Sequence, residues 1–290
     1  MKIGFIGTGT MGQPMLGNLV KKGFAVTAYD VVPAALDAAA RLGAERAGSV
    51  REAAADCDLV ITMLPSSANV ETVYLGEGGI IEAASAGRLC VDMSTIDPGT
   101  SQRVAARLKE HGIRFLDAPV SGGVNGATAG TLAIMVGGDV SDLAEARPAL
   151  VAMGANIIHV GGIGAGEVAK LCNNLISGSA LIAVAEAFRI GEAFGVDPQI
   201  LTNVIAKSSG ATWVMEHMHP VPGIVDSAAS SRQYAPGFMT DLMAKDLGLA
   251  VGAARDKRVP VVVAPAAQQL YRMASSHGLG REDFSAVYKF

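Results

Sequence analysis

Cysteine is scarce. Cys57, Cys90 and Cys172 lie far apart, with no CxxC or Cys/His spacing; this argues against a disulfide framework or zinc site and favours a reducing compartment. Of five histidines only His217 and His219 are close together. With no cysteine nearby they read as ordinary surface or loop residues, and no metal is expected. Positive charge is not in excess: the formal charge is −4, which gives no general reason to bind nucleic acid or an acidic membrane. No stretch reaches the roughly 20 apolar residues needed to cross a bilayer without a glycine or a charge. The chain enters an apolar run at Ile3 with no basic leader or transit-type segment before it, and a cytoplasmic protein is expected.

Apolar residues and glycine are abundant. Half of the 290 residues are hydrophobic, 35 are glycine and the mean hydropathy is +0.36, enough for sizeable cores and more than one domain. Up to about residue 160, short apolar runs (3–6, 25–29, 59–64, 89–93, 114–117, 132–136, 157–160) end in Gly- or Pro-rich turns. Helix-like stretches such as 14–22, 33–41, 68–74 and 99–111 separate them. This rhythm predicts a mostly parallel sheet covered on both faces. Beyond it the pattern is helical: one long helix over 166–195, then helices over 198–208, 238–255 and 265–277, with a Pro/Gly-rich loop over 219–237. The expected class is α/β, with an N-terminal doubly wound sheet at 1–163 and an all-α domain at 164–290.

Gly7-Thr8-Gly9-Thr10-Met11-Gly12 follows the first run and opens the first helix. Gly7 permits the tight turn, Gly9 lets backbone approach a pyrophosphate and Gly12 lets helix and strand pack closely, the Rossmann-type dinucleotide fingerprint. Thr10 and Met11 sit where helix-start amides would hold the phosphates. Asp30 ends the second run 18 residues beyond Gly12, at the spacing of an acid that accepts from ribose hydroxyls and repels a 2′-phosphate; this favours NAD over NADP. Leu64, Pro65, Asn69 and Thr95 follow two further strand ends, on the edge where open α/β sheets bind ligands. Each also reads as an ordinary turn residue.

Ser121-Gly122-Gly123 offers a hydroxyl and unhindered amides to a carboxylate, or simply makes a turn. On the long helix Gly166, Lys170, Asn174 and Gly178 recur every four residues, so one face carries an ammonium and an amide between glycines that leave room for a ligand or for backbone. A lysine on so apolar a helix is not expected to be freely solvated. As ammonium it can protonate a developing alkoxide and as amine take that proton away; desolvation and a positive nicotinamide ring would both favour the amine. Trp213 and Phe238 read equally as pocket walls or core aromatics.

With these motifs in hand, the chain resembles the β-hydroxyacid dehydrogenase family nearly end to end. The matching segments run in order: the glycine turn at 7–12, Asp117 to Gly123, Gly162 to Asn174, and Lys245-Asp246-Leu247. The resemblance implies that Lys170 is the catalytic acid/base and that Ser121, Gly122, Gly123 and Asn174 contact the substrate. It implies that Lys245 reaches both cofactor and substrate. Pro220-Val221-Pro222-Gly223, Ser208-Ser209-Gly210 and the tail from Asp283 to Tyr288 look like the 3-hydroxyisobutyrate dehydrogenase branch. That branch implies NAD, a small hydroxy-acid substrate, a place in valine catabolism and a homodimer or homotetramer formed through the helical half. The rival expectations are a short-chain semialdehyde reductase such as tartronate semialdehyde reductase, differing around residues 208–240, and a noncatalytic NAD-binding sensor.

Overall fold

The computed structural model describes all 290 residues, in two compact units, Met1–Lys170 and Leu171–Phe290. The first unit opens with β1 (Lys2–Ile6), α1 (Gly12–Lys21), β2 (Ala25–Tyr29), α2 (Pro33–Arg41), β3 (Glu45–Arg46), α3 (Val50–Ala55) and β4 (Leu59–Thr62). It continues with α4 (Ser67–Leu75), α5 (Ile80–Ala83), β5 (Leu89–Asp92), α6 (Pro98–Glu110), β6 (Arg114–Asp117) and β7 (Val120–Ser121). Then come α7 (Gly123–Ala129), β8 (Leu132–Gly137), α8 (Val140–Met153) and β9 (Gly154–Gly161). Helix starts follow local chemistry. Pro33 and Pro98 stand in the first turns of α2 and α6, and the Asp97 carboxylate caps α6 by accepting from Thr100 N.

The sheet order is β3-β2-β1-β4-β5-β6-β8-β7, with β9 on β8. Strands β1 to β6 run parallel, as the alternating pattern predicts, whereas β8 is antiparallel to β6 and β7. Alternate strand residues feed two cores. Ile3, Phe5, Leu59, Ile61, Leu89, Val91 and Leu116 pack with Leu16 and Leu19 of α1 and with Leu143 and Leu150 of α8. Ile6, Val60, Cys90 and Phe115 pack on the other face with Val70 and Tyr74 of α4 and Val104 of α6.

The first compact unit runs on to Lys170, past the change of pattern at residue 163. The reason is local: the first turn of helix α9 (Ala165–Ala193) is hydrogen-bonded to Asp117 at the end of β6 and to Ile96 after β5. By length and composition α9 could cross a membrane, a possibility not read from the sequence; 44% of its most apolar window is buried inside the protein.

In the second unit α9 continues, followed by α10 (Pro198–Ala206), α11 (Trp213–His217), α12 (Thr240–Asp256) and α13 (Val263–Ala274). Leu181 and Ile182 of α9 pack with Met243 and Leu247 of α12, Tyr271 of α13 and Phe284. The Tyr271 hydroxyl donates to Gly178 O at 2.9 Å. His219, read as a surface or loop histidine, is in a loop but has no exposed surface; its ring lies edge-on to Phe188 at 4.5 Å. Phe238 joins the core edge-on to Phe284 at 5.9 Å, whereas Trp213 is exposed and stacks on His217.

Candidate active site

The strand order reverses direction between β1 and β4, which makes their carboxyl ends the topological switch point. Gly7 leaves β1 at φ +95°, and a Cβ there would meet the Met63 carbonyl and lie 3.2 Å from the Leu64 side chain. The glycine turn and the Leu64-Pro65 segment therefore flank the switch point side by side. A Cβ on Gly12 would run into the Gly7 carbonyl, so α1 approaches β1 as closely as backbone allows. At Gly9 the equivalent position is open space. No side chain caps the start of α1 and its first turn holds no acid, which leaves the positive end of the helix dipole to an anion. Open backbone and an uncapped helix start suit a pyrophosphate.

Asp30 holds this turn in shape. One carboxylate oxygen accepts from Thr8 N at 2.7 Å and the other from Val32 N at 2.8 Å. Asn69 completes a local cap: Ser66 Oγ accepts from Asn69 N and donates to Asn69 Oδ1, which leaves the Asn69 NH₂ group for other partners. Thr95 follows β5 beside Ser94, and Ser94 belongs to a network that the sequence reading missed. Ser94 Oγ and Thr62 Oγ1 donate to Asp92 Oδ1 at 2.5 and 2.7 Å, Tyr74 meets Thr62 at 2.9 Å, and Ser94 Oγ accepts from Leu64 N at 2.8 Å. Asp92 thus ties the ends of β4 and β5 together. Burial pushes its carboxyl up to about 6 against the hydrogen bonds from Ser94 and Thr62. An acid inside the apolar run 89–93 was the available signal.

Ser121 ends β7, Gly122 turns at φ +134°, and Gly123 opens α7 at φ +61°. Lys170 is 6% exposed, in keeping with the expectation that it is not freely solvated. The room beside Gly166 is taken by the protein: a Cβ would strike the Met135 carbonyl and lie 2.8 Å from Asp117 O and Oδ2. Gly178 likewise admits the Met243 side chain. Both glycines serve packing.

In the second unit Asn174 and Lys245 are brought together by Asp246. The Asn174 amide donates to Asp246 Oδ2 at 2.6 Å, and Lys245 Nζ stands 3.3 Å from Oδ1. Asp246 is buried. The sequence reading passed over it as the middle of a motif, although an acid adjoining a candidate lysine was visible.

Comparison with known proteins agrees with this anatomy. Residues 2–161 match the family model of the NAD binding domain of 6-phosphogluconate dehydrogenase. Residues 164–290 match the NAD-binding model of NADP-dependent 3-hydroxyisobutyrate dehydrogenase. The chain is an NAD-dependent oxidoreductase acting on CH–OH groups. It belongs to the 3-hydroxyisobutyrate dehydrogenase family, a hydroxyacid dehydrogenase with an N-terminal Rossmann-type domain and a helical C-terminal region. It is 42% identical over 288 residues to the mitochondrial 3-hydroxyisobutyrate dehydrogenase of Rattus norvegicus, covering 99% of this chain and 86% of that one. It is 44% identical over 288 residues to the NAD-dependent L-serine dehydrogenase of Pseudomonas aeruginosa, covering 99% and 97%. The solved structure of Mycobacterium tuberculosis 3-hydroxyisobutyrate dehydrogenase with L-serine superposes with a TM-score of 0.94 at 42% identity, over 99% and 98% of the two chains. An imine reductase from Myxococcus stipitatus, 18% identical with a TM-score of 0.68, shares the fold.

Proposed function

We propose that this enzyme oxidises 3-hydroxyisobutyrate to methylmalonate semialdehyde, a step of valine catabolism, with Lys170 as general base and NAD as cofactor. The observation that carries the reading is the burial of Lys170 on α9, a desolvated position that is rare for lysine and of the kind acid–base lysines occupy. Ser121 and the amides of Gly122 and Gly123 hold the substrate carboxylate, and Asn174 and Lys245 bind the substrate. Lys170 Nζ takes the proton of the primary hydroxyl as the adjacent carbon gives up hydride. NAD, when bound, supplies the hydride acceptor. Gly7, Gly9, Thr10, Met11 and Gly12 bind its phosphates, Asp30 its ribose, and Leu64, Pro65, Asn69, Thr95 and Lys245 the remainder. Three free thiols, one of them exposed, suit a reducing cytoplasm.

A second substrate is favoured by the serine in two of the comparisons. L-Serine has the same β-hydroxyl and carboxylate, with an ammonium where 3-hydroxyisobutyrate carries a methyl. Initial rates with 3-hydroxyisobutyrate, L-serine and glycerate, each with NAD and NADP, test the proposal. The highest kcat/KM is expected for 3-hydroxyisobutyrate with NAD; a higher value for L-serine would reassign the substrate, and turnover of none would sink the reading.

The assembly proposed is a homodimer or homotetramer. Ile176 and Ile190 along α9 and Phe194 just beyond it are 67%, 62% and 84% exposed, an apolar stripe of the kind a second copy covers. Light scattering is expected to give the mass of two or four chains; a monomer at micromolar concentration would refute it.

A further inference from the structure

Asp117, a motif residue to which the roles above give no task, has no exposed surface. Its Oδ1 accepts from Gly164 N at 2.7 Å and its Oδ2 from Glu167 N at 3.0 Å. The first amides of a helix have no partner within it and are ordinarily met by the side chain just before the helix. For α9 the acceptor comes instead from the end of β6, 47 and 50 residues earlier in the chain. The same turn is tied a second time, because Glu167 Oε2 accepts from Ile96 N at 3.1 Å. The end of β6 and the segment after β5 thereby hold one helical turn, and the absence of a Cβ on Gly166 lets it lie against Asp117 and the Met135 carbonyl. Lys170 follows Glu167 by three residues and Gly166 by four, one turn further along the same helix face. Ser121 follows Asp117 by four residues on the other side of the tie.

We propose that Asp117 is a positioning residue: by pinning the first turn of α9 to the end of β6, it fixes where the Lys170 amine stands relative to Ser121-Gly122-Gly123. The inference rests on the reading of Lys170 as acid/base. A lysine amine on a four-carbon stem has little rigidity of its own, so its placement depends on the helix that carries it. An error of about 1 Å in such a group can cost about 10²-fold in rate.

The test is a double-mutant cycle. Asp117→Asn turns an amide donor towards Gly164 N or Glu167 N and breaks one tie with almost no change in volume. It is expected to lower kcat by about 10- to 100-fold, with KM and the dissociation constant of NAD within about two-fold. In a Lys170→Ala background it should cost almost nothing further, as for residues that act as a unit. A merely structural role would lower kcat by the same factor in both backgrounds, and that result overturns the proposal. Wild-type kcat in Asp117→Asn, with Lys170→Ala impaired, overturns it too while leaving the acid/base reading intact. Wild-type turnover by Lys170→Ala sinks that reading, and this inference with it. If Asp117→Asn fails to fold, Glu167→Gln weakens the second tie by exchanging a charged acceptor for a neutral one. It is expected to lower kcat about three- to ten-fold, and an unchanged kcat would count against the proposal.

Discussion

Lys170→Ala is expected to lower kcat by about 10²–10⁴, the range that general acid–base catalysis supplies, while NAD binds as before. The substituted side chain lies on α9, whereas the turn proposed to hold the phosphates is the glycine-rich segment after β1, shaped by Asp30, Gly7 and Gly12. Loss of a proton acceptor and loss of a cofactor site are thus separable. Lys170→Arg sharpens the result. An arginine keeps the positive charge and much of the length but does not surrender its proton near neutral pH. If Lys170 only attracted the substrate carboxylate, the arginine variant would retain most turnover. As proton acceptor it leaves the arginine variant nearly as impaired as the alanine one. Steady-state NADH formation beside fluorescence titration of NADH reads both quantities, and arginine-supported turnover within about ten-fold of wild type would remove Lys170 from proton transfer.

Some of this architecture was legible in the chain because its cause is local. The glycine turn needs a positive φ at Gly7 and no side chain at Gly12, and no other residue type meets both demands. The parallel strands follow from apolar runs whose alternate residues feed the two cores. The reversal at the sheet's far side was not legible: β7 is two residues long, and nothing in Val120-Ser121 records that its partner β8 runs antiparallel. The tie between Asp117 and α9, and the pairing of Asn174 with Asp246 over 72 residues, are hydrogen bonds without sequence period. They also carry the first compact unit past residue 164, where the composition turns helical, because the first helical turn is bonded to the sheet. The glycines at 166 and 178 of α9 signalled a close approach by a ligand or by backbone. What approaches them (Met135 and Asp117 beside one glycine, Met243 beside the other) depends on the tertiary fold.

Acidification is expected to weaken the helical unit through a residue outside the chemistry. His219 is buried with its Nδ1 accepting from Val221 N at 3.2 Å, so that nitrogen is unprotonated. Its Nε2 meets Thr202 Oγ1 at 3.2 Å, and Thr202 donates its own proton to Pro198 O at 2.7 Å, which leaves Nε2 as the donor. A neutral ring satisfies every contact; a second proton at Nδ1 would face the Val221 amide. Burial lowers the pKa to about 4 from an ordinary 6.5. The unfolded chain therefore takes up a proton that the folded one refuses. The resulting stability is full above pH 6.5, declines as pH falls, and is lost by pH 4. At about 1.4 kcal/mol per pKa unit the loss by pH 4.5 is on the order of 2–3 kcal/mol. Asp92 acts with the opposite sign, its raised carboxyl favouring the fold below 3.8 and less so as pH rises through 6, but it lies in the first unit. Trp213, the sole tryptophan, lies in the second unit with His219 and reports on the unfolding of that unit. His219→Asn keeps an acceptor near the Nδ1 position without titrating. Urea transitions followed by Trp213 fluorescence at pH 7 and 4.5 should show a fall in wild-type stability that is about 2–3 kcal/mol larger than in the variant. Equal falls in the two proteins would mean that the buried imidazole carries its proton as easily folded as unfolded.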